Sequence, residues 1–144
     1  MIDKNDLGTN VGSEMGAGDQ AAILLIDDNA VQAATRQTIL KRAGYYVIAV
    51  LNPARALEQF RSDEFPARIR LVITDHLMPG MTGAEFVRAL RETHGELPVL
   101  VISGLEEAEE EYAGLNVLFR LKPLQPDILL DSVHRLVTGG TTDA

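Results

Sequence analysis

Apolar residues along this chain alternate between two patterns. Short runs with little polar interruption recur at Ala22–Ile26, Tyr45–Leu51, Leu71–Thr74, Leu97–Ile102 and Val117–Leu121. Runs of this length suit parallel strands that are covered on both faces. Between them the spacing changes to a helical period. The first helical segment opens at Asn29, a suitable N-cap, and stops at Gly44, with Val31, Ala34, Thr35, Thr38, Ile39 and Ala43 expected on its buried face. Asn52-Pro53 starts a second helix that runs to about Arg61, with Ala56, Leu57 and Phe60 inward. A third begins at Thr82 or Gly83, turns Phe86, Val87 and Leu90 inward, and ends near Gly95. The fourth, around Glu106–Glu111, is short and very acidic. Its adjacent like charges repel, which predicts a solvated, marginally stable segment anchored by Tyr112. A last helix from about Pro126 to Val137 is expected to bury Ile128, Leu129, Val133 and Leu136.

Strand and helix alternate five times, which predicts an α/β fold. The architecture expected is a single doubly wound five-stranded parallel sheet, a flavodoxin-like three-layer sandwich. Residues 1–20 are rich in Gly, Asn, Asp and Ser and are expected to form a flexible tail. The domain is expected over residues 21–138, with a short polar tail at 139–144. A chain of 144 residues suits one such domain. No apolar run approaches membrane-spanning length, nothing reads as a signal peptide, and there is no cysteine. These features favour a cytoplasmic protein without disulfide or thiolate chemistry. The net charge of −8, with no Lys/Arg-rich stretch, disfavours direct nucleic-acid binding.

Open α/β sheets place their ligands beyond the carboxyl ends of the strands. Here those ends carry Asp27 and Asp28, Asp75, Ser103 and Lys122. Pro79-Gly80 turns the chain just past Asp75. Carboxylates this close raise one another's pKa unless a cation neutralises them. An all-oxygen donor set favours a hard divalent ion, Mg²⁺, with Mn²⁺ able to substitute. Lys122 adds a compact positive charge and Ser103 a hydroxyl donor. The set describes a metal-assisted phosphoryl-transfer site with Asp75 as nucleophile.

In this order and spacing, residues from about Ala22 to Val137 resemble the receiver domain of bacterial two-component response regulators. Asp27-Asp28 is similar to the family's acidic pair, and Asp75 to its phosphoacceptor in an Asp-x-x-Met-Pro turn. Gly83 resembles the glycine that follows this turn, and Ser103 the Thr/Ser position. Lys122-Pro123 resembles a Lys-Pro pair whose bond is usually cis, and Phe119 an aromatic that changes rotamer on activation.

The resemblance implies that Asp75 takes a phosphoryl group from a sensor histidine kinase or a histidine phosphotransfer protein. It implies Mg²⁺ held by Asp28, Asp75 and a main-chain carbonyl assigned to Leu77, with Asp27 nearby as an outer or water-mediated ligand. Lys122 and Ser103 would hold the acyl phosphate. Ser103 drawn toward it would free space for Phe119 to turn inward and reshape the adjoining face. Such a module signals through protein contact and turns over no metabolite, so it is classed as a signalling domain rather than an enzyme. A stand-alone receiver is expected, the alternative being the receiver portion of a longer chain such as a hybrid histidine kinase.

Three features depart from the family pattern. The stretch between Ser103 and Lys122 is short and crowded with Glu, so the family's usual dimer does not carry over automatically, although a homodimer stays open. Leu77 and Leu105 stand where polar residues often position an attacking water, which predicts a shielded, slowly hydrolysed phosphate. Phe119 has no hydroxyl, so its turn would be driven by packing. A flavodoxin-like mononucleotide binder would need a Gly/Ser/Thr-rich loop where this chain has Asp27-Asp28. A haloacid-dehalogenase type enzyme would need Asp-x-Asp where this chain has Asp75-His76-Leu77. A degenerate receiver, binding partners without phosphorylation, is the remaining alternative. His94 and His134 are expected to be exposed, and His76 has no fixed role in the resemblance.

Overall fold

The computed structural model describes residues 20–139, and the two predicted tails lie almost wholly outside that range. Five strands carry the apolar runs: β1 (Ala22–Ile26), β2 (Val47–Val50), β3 (Ile69–Asp75), β4 (Val99–Ser103) and β5 (Leu118–Leu121). Four α-helices alternate with them: α1 (Ala30–Arg42), α2 (Pro53–Ser62), α3 (Gly83–Arg91) and α4 (Pro126–Val137). The sheet order is β2-β1-β3-β4-β5 and every pairing is parallel. This is the flavodoxin-like winding anticipated from the alternation.

The order follows from burial. All residues of β1 and β4 are fully buried, so these strands must be covered on both sides. One core layer joins Ile23, Leu25, Ile73 and Ile102 to Ala33 and Leu40 of α1 and to Leu129, Val133 and Leu136 of α4. The other joins Leu24, Ile26, Val72 and Val101 to Ala56 and Leu57 of α2 and to Phe86, Val87 and Leu90 of α3. Local signals set the helix starts. Asn29 and Asn52 cap α1 and α2 through their side chains, and Thr82 with Glu85 forms a reciprocal capping box at α3.

Two expectations need correction, and a third, the short solvated acidic segment, agrees with the structure and gains its helix type. Helix α1 is rotated from its predicted orientation: Ala33 and Leu40 face the core, whereas Val31, Ala34, Thr35, Thr38 and Ala43 are exposed and Ile39 is only partly covered. Small and weakly apolar residues on both sides of this helix give little preference for one face, so contacts from the rest of the fold decide its rotation. In α4, Ile128 is exposed while the other three predicted residues are buried. The acidic segment is a 3₁₀ helix, Glu106–Tyr112, with only Ala108 and Tyr112 buried. Its five glutamates all face solvent, and two anchors cannot support a longer α-helix among such charges.

With that helix shortened, Arg91 at the end of α3 holds the return to β5. Its guanidinium donates to the carbonyls of His94, Leu97, Leu115 and Asn116 at 2.7–3.0 Å. Burial lowers its pKa, and the charge of Glu96 opposes that shift only in part. Arg91→Met is expected to reduce unfolding free energy in urea by about 2–3 kcal/mol, because four acceptors lose a charged donor at once.

Candidate functional site

Register brings the polar strand ends to one level. Asp75 pairs across the sheet with Ile102, Ile26 with Thr74, and Ser103 with Leu121. The residues just past β1 and β5 therefore meet the end of β3, and oxygens of Asp27, Asp28 and Asp75 lie within 4.8 Å of one another. Asp75 is buried, and both its oxygens are held. Oδ1 accepts the His76 N–H at 2.8 Å, and Oδ2 accepts Lys122 Nζ at 2.9 Å. Asp27 is fully buried. Its Oδ1 accepts the Asn29 N–H at 2.9 Å, and its Oδ2 accepts Arg36 Nη1 at 2.8 Å. Asp28 is exposed and has no side-chain partner among the described residues.

Burial raises the pKa of Asp27, and the charge of Asp75 adds to the rise, against the Asn29 N–H, Arg36 and Lys122. Three carboxylates thus face two cations in a crevice that buries Asp27 and Asp75 and leaves Asp28 exposed. With one carboxylate open to solvent and an all-oxygen donor set, the crevice suits a hard divalent cation.

Ser103 is fully buried at the end of β4. Its hydroxyl is turned to the following loop, accepting the Leu105 N–H at 2.9 Å and donating to the Leu105 carbonyl at 3.2 Å. The Lys122 N–H donates to the Ser103 carbonyl at 2.8 Å, which ties the lysine to this strand end, and the Lys122-Pro123 bond is cis. Leu77 and Leu105 are both exposed, as are Val31 at the start of α1 and Leu51 after β2. All four follow the carboxyl ends of strands, at the same end of the sheet as the acidic crevice.

Sequence reasoning assigned no role to His76, which is buried beside Asp75. Its Nδ1 lies 2.7 Å from the Tyr112 hydroxyl and its Nε2 3.7 Å from Glu111 Oε2. Burial pushes the Tyr112 pKa well up, helped by the charges of Glu111 and Asp75, so this hydroxyl stays protonated. The hydrogen bond is the one between Tyr112 and Nδ1, whereas Nε2 and Glu111 stand too far apart to share one. The Tyr112 ring lies 5.5 Å from that of His76 and 5.8 Å from that of Phe119. Tyr112 therefore occupies the space between partly buried Phe119 and the end of β3. A tyrosine set among glutamates was the only trace of this arrangement in the sequence. Of the other histidines, His134 is exposed, whereas His94 is half-covered against Phe60, contrary to expectation.

Gly83 makes room for this cluster. A Cβ there would run into the Tyr112 hydroxyl and stand 2.6 Å from the Asp75 carbonyl oxygen. Gly83→Ala is expected to cost about 2 kcal/mol in urea unfolding, in the range of overpacking, and adding Tyr112→Phe should recover part of the loss.

Comparison with known proteins matches residues 23–134 to the family described as the response regulator receiver domain. The C4-dicarboxylate transport transcriptional regulatory protein DctD of Pseudomonas aeruginosa is 39% identical over 120 residues, 81% of this chain and 25% of that protein. The two-component response regulator ORR6 of Oryza sativa is 34% identical over 125 residues, 76% of this chain and 69% of its own length, so the relatives include plant as well as bacterial proteins. The chemotaxis response regulator CheY4 of Vibrio cholerae superposes with a TM-score of 0.70 at 28% identity, covering 81% of this chain and 98% of that structure. The chain spans about a quarter of the length of the transcriptional regulators it matches first.

Proposed function

Because this chain belongs to the response regulator receiver family, we propose that Asp75 is its phosphoacceptor, charged by a sensor histidine kinase or a histidine phosphotransfer protein. The observation that carries this is the meeting of Asp27, Asp28 and Asp75 within 4.8 Å, with Lys122 on Asp75 at 2.9 Å. Isolated turn caps would have no reason to converge so closely against mutual repulsion. Receiver domains are signalling domains, and the product here is a changed surface.

The His76 N–H and Lys122 fix the plane of the Asp75 carboxylate before the partner arrives. A carboxylate oxygen attacks the phosphorus of the partner's phosphohistidine. The new P–O bond forms as the P–N bond breaks, and its electron pair stays on the imidazole nitrogen. Lys122 then passes a hydrogen bond from Asp75 to a phosphoryl oxygen. Asp28, Asp75 and the Leu77 carbonyl would hold Mg²⁺ or Mn²⁺, which when bound offsets the charge of the transferring group. Exposed Val31, Leu51, Leu77 and Leu105, each beyond the carboxyl end of a strand, offer apolar contact to the phosphodonor.

The switch follows from Ser103. To reach a phosphoryl oxygen, its hydroxyl gives up the Leu105 N–H, and Leu105 caps the 3₁₀ helix. That loosens one end of the acidic segment, whose other end rests on Tyr112. Phe119 turns inward only as Tyr112 leaves, so the two aromatics move together. Five exposed glutamates on this segment disfavour self-association through it, and any homodimer uses another face. No helix among the described residues is long and apolar enough to cross a membrane, and a cytoplasmic site of action fits this role.

Amide NMR during titration with Mg²⁺ and then beryllofluoride tests the phosphoacceptor. Wild type should show shifts at residues 75–83 and 103–112 that Asp75→Asn lacks, and a silent wild type would leave only phosphorylation-independent binding. Leu77→Asn should shorten the lifetime of the phosphorylated protein by about tenfold, since a polar side chain there can position the attacking water. An unchanged decay rate would show that Leu77 does not shield the phosphate.

A further inference from the structure

We propose that Arg36 is a positioning residue that sets the affinity of the acidic crevice for its divalent cation. It does so by neutralising Asp27 and keeping that carboxylate out of the ligand set. This rests on the assignment of the crevice as a divalent-cation site and adds to it a residue from outside the strand ends.

Arg36 stands nine residues beyond Asp27, on the side of α1 that also carries Ala33 and Leu40 into the core. Its side chain is only 12% exposed. A guanidinium is costly on the covered face of a helix unless it meets an opposite charge. Here it meets Asp27 at 2.8 Å, and its second terminal nitrogen contacts Gln32 Oε1 at 3.4 Å, a helical turn earlier. The contact also fits the rotation of α1, because turning the predicted stripe inward would carry Arg36 away from Asp27.

The consequence for the crevice is electrostatic. The Asn29 N–H occupies one oxygen of Asp27 and Arg36 the other, so each already has a strong donor. The Asp27–Arg36 pair is neutral as a unit. The charge offered to a cation is then that of Asp28 and Asp75, less that of Lys122. Removing Arg36 exposes a third uncompensated carboxylate close to the site and tightens cation binding. Removing the charge of Asp27 alone leaves a buried guanidinium facing the site and weakens binding. Removing both restores the original net charge.

Mg²⁺ dissociation constants from amide NMR titration, with melting temperatures in EDTA and in saturating Mg²⁺, test this on four proteins: wild type, Arg36→Met, Asp27→Asn and the double variant. Arg36→Met should bind Mg²⁺ at least about tenfold more tightly, and Asp27→Asn at least about tenfold more weakly, as expected for a unit charge a few ångströms from a divalent ion. The double variant should return to within about threefold of wild type. Arg36→Met should melt below wild type in EDTA and recover in Mg²⁺. Arg36→Lys, which keeps the charge, should stay near the wild-type constant. If Arg36→Met proves unfolded, Arg36→Gln takes its place in the cycle.

A lower melting temperature with an unchanged Mg²⁺ constant would make Arg36 a purely structural cover and overturn the proposal. So would a double variant as weak as Asp27→Asn, since that would make Asp27 a direct ligand. A wild type that binds no Mg²⁺ would refute the cation site itself, an outcome distinct from both.

Discussion

The structure depends on a crowding of negative charge that the fold itself creates. Parallel strands must end together, and when β1 and β3 end in aspartates, three carboxylates arrive within 4.8 Å of one another. The protein holds this arrangement with two cations from opposite sides, Arg36 from α1 on Asp27 and Lys122 beyond β5 on Asp75. Each is backed by its own element: the core face of α1 positions Arg36, and the Lys122 N–H bond to Ser103 positions the lysine. One excess negative charge remains, centred on exposed Asp28, where a cation can enter from solvent. A crevice left one charge short of neutrality favours a divalent cation, and the proposed phosphoryl transfer depends on that cation to offset the incoming negative charge.

The proposed response belongs to the other side of the sheet. A receiver must convert a change of a few ångströms at one carboxylate into a change of surface. In this chain the material between them is Ser103, Leu105, His76, Tyr112 and Phe119. Ser103 holds Leu105, the cap residue before the 3₁₀ helix, by a hydrogen bond, and His76 holds its last residue, Tyr112. The segment therefore hangs between two groups that adjoin Asp75. Its glutamates repel one another and only two of its residues are buried, so little besides these anchors keeps it in place. Gly83 is needed because the tyrosine hydroxyl and the Asp75 carbonyl leave no room for a side chain.

Much of this was legible in the sequence. The alternation of apolar runs with helical spacing determined the five-stranded winding. The residues following those runs named Asp27, Asp28, Asp75, Ser103 and Lys122, because in a parallel sheet the position after a buried strand is a spatial address as well as a sequential one. Cap residues at 29, 52 and 82 marked where three helices begin. What only the tertiary structure decided was pairing between distant side chains. The rotation of α1 brings Arg36 to Asp27 and Ala33 and Leu40 into the core together, contacts that the helix's own pattern does not announce. Burial of His76 follows from Tyr112, which is 36 residues away. Arg91 grips four carbonyls of two connections, His94 and Leu97 before β4 and Leu115 and Asn116 before β5, that only the fold brings together. Apolar periodicity is a local, repeated signal and survives in one dimension. A single polar contact between two elements leaves no period, and it becomes visible only when the fold has brought the partners together.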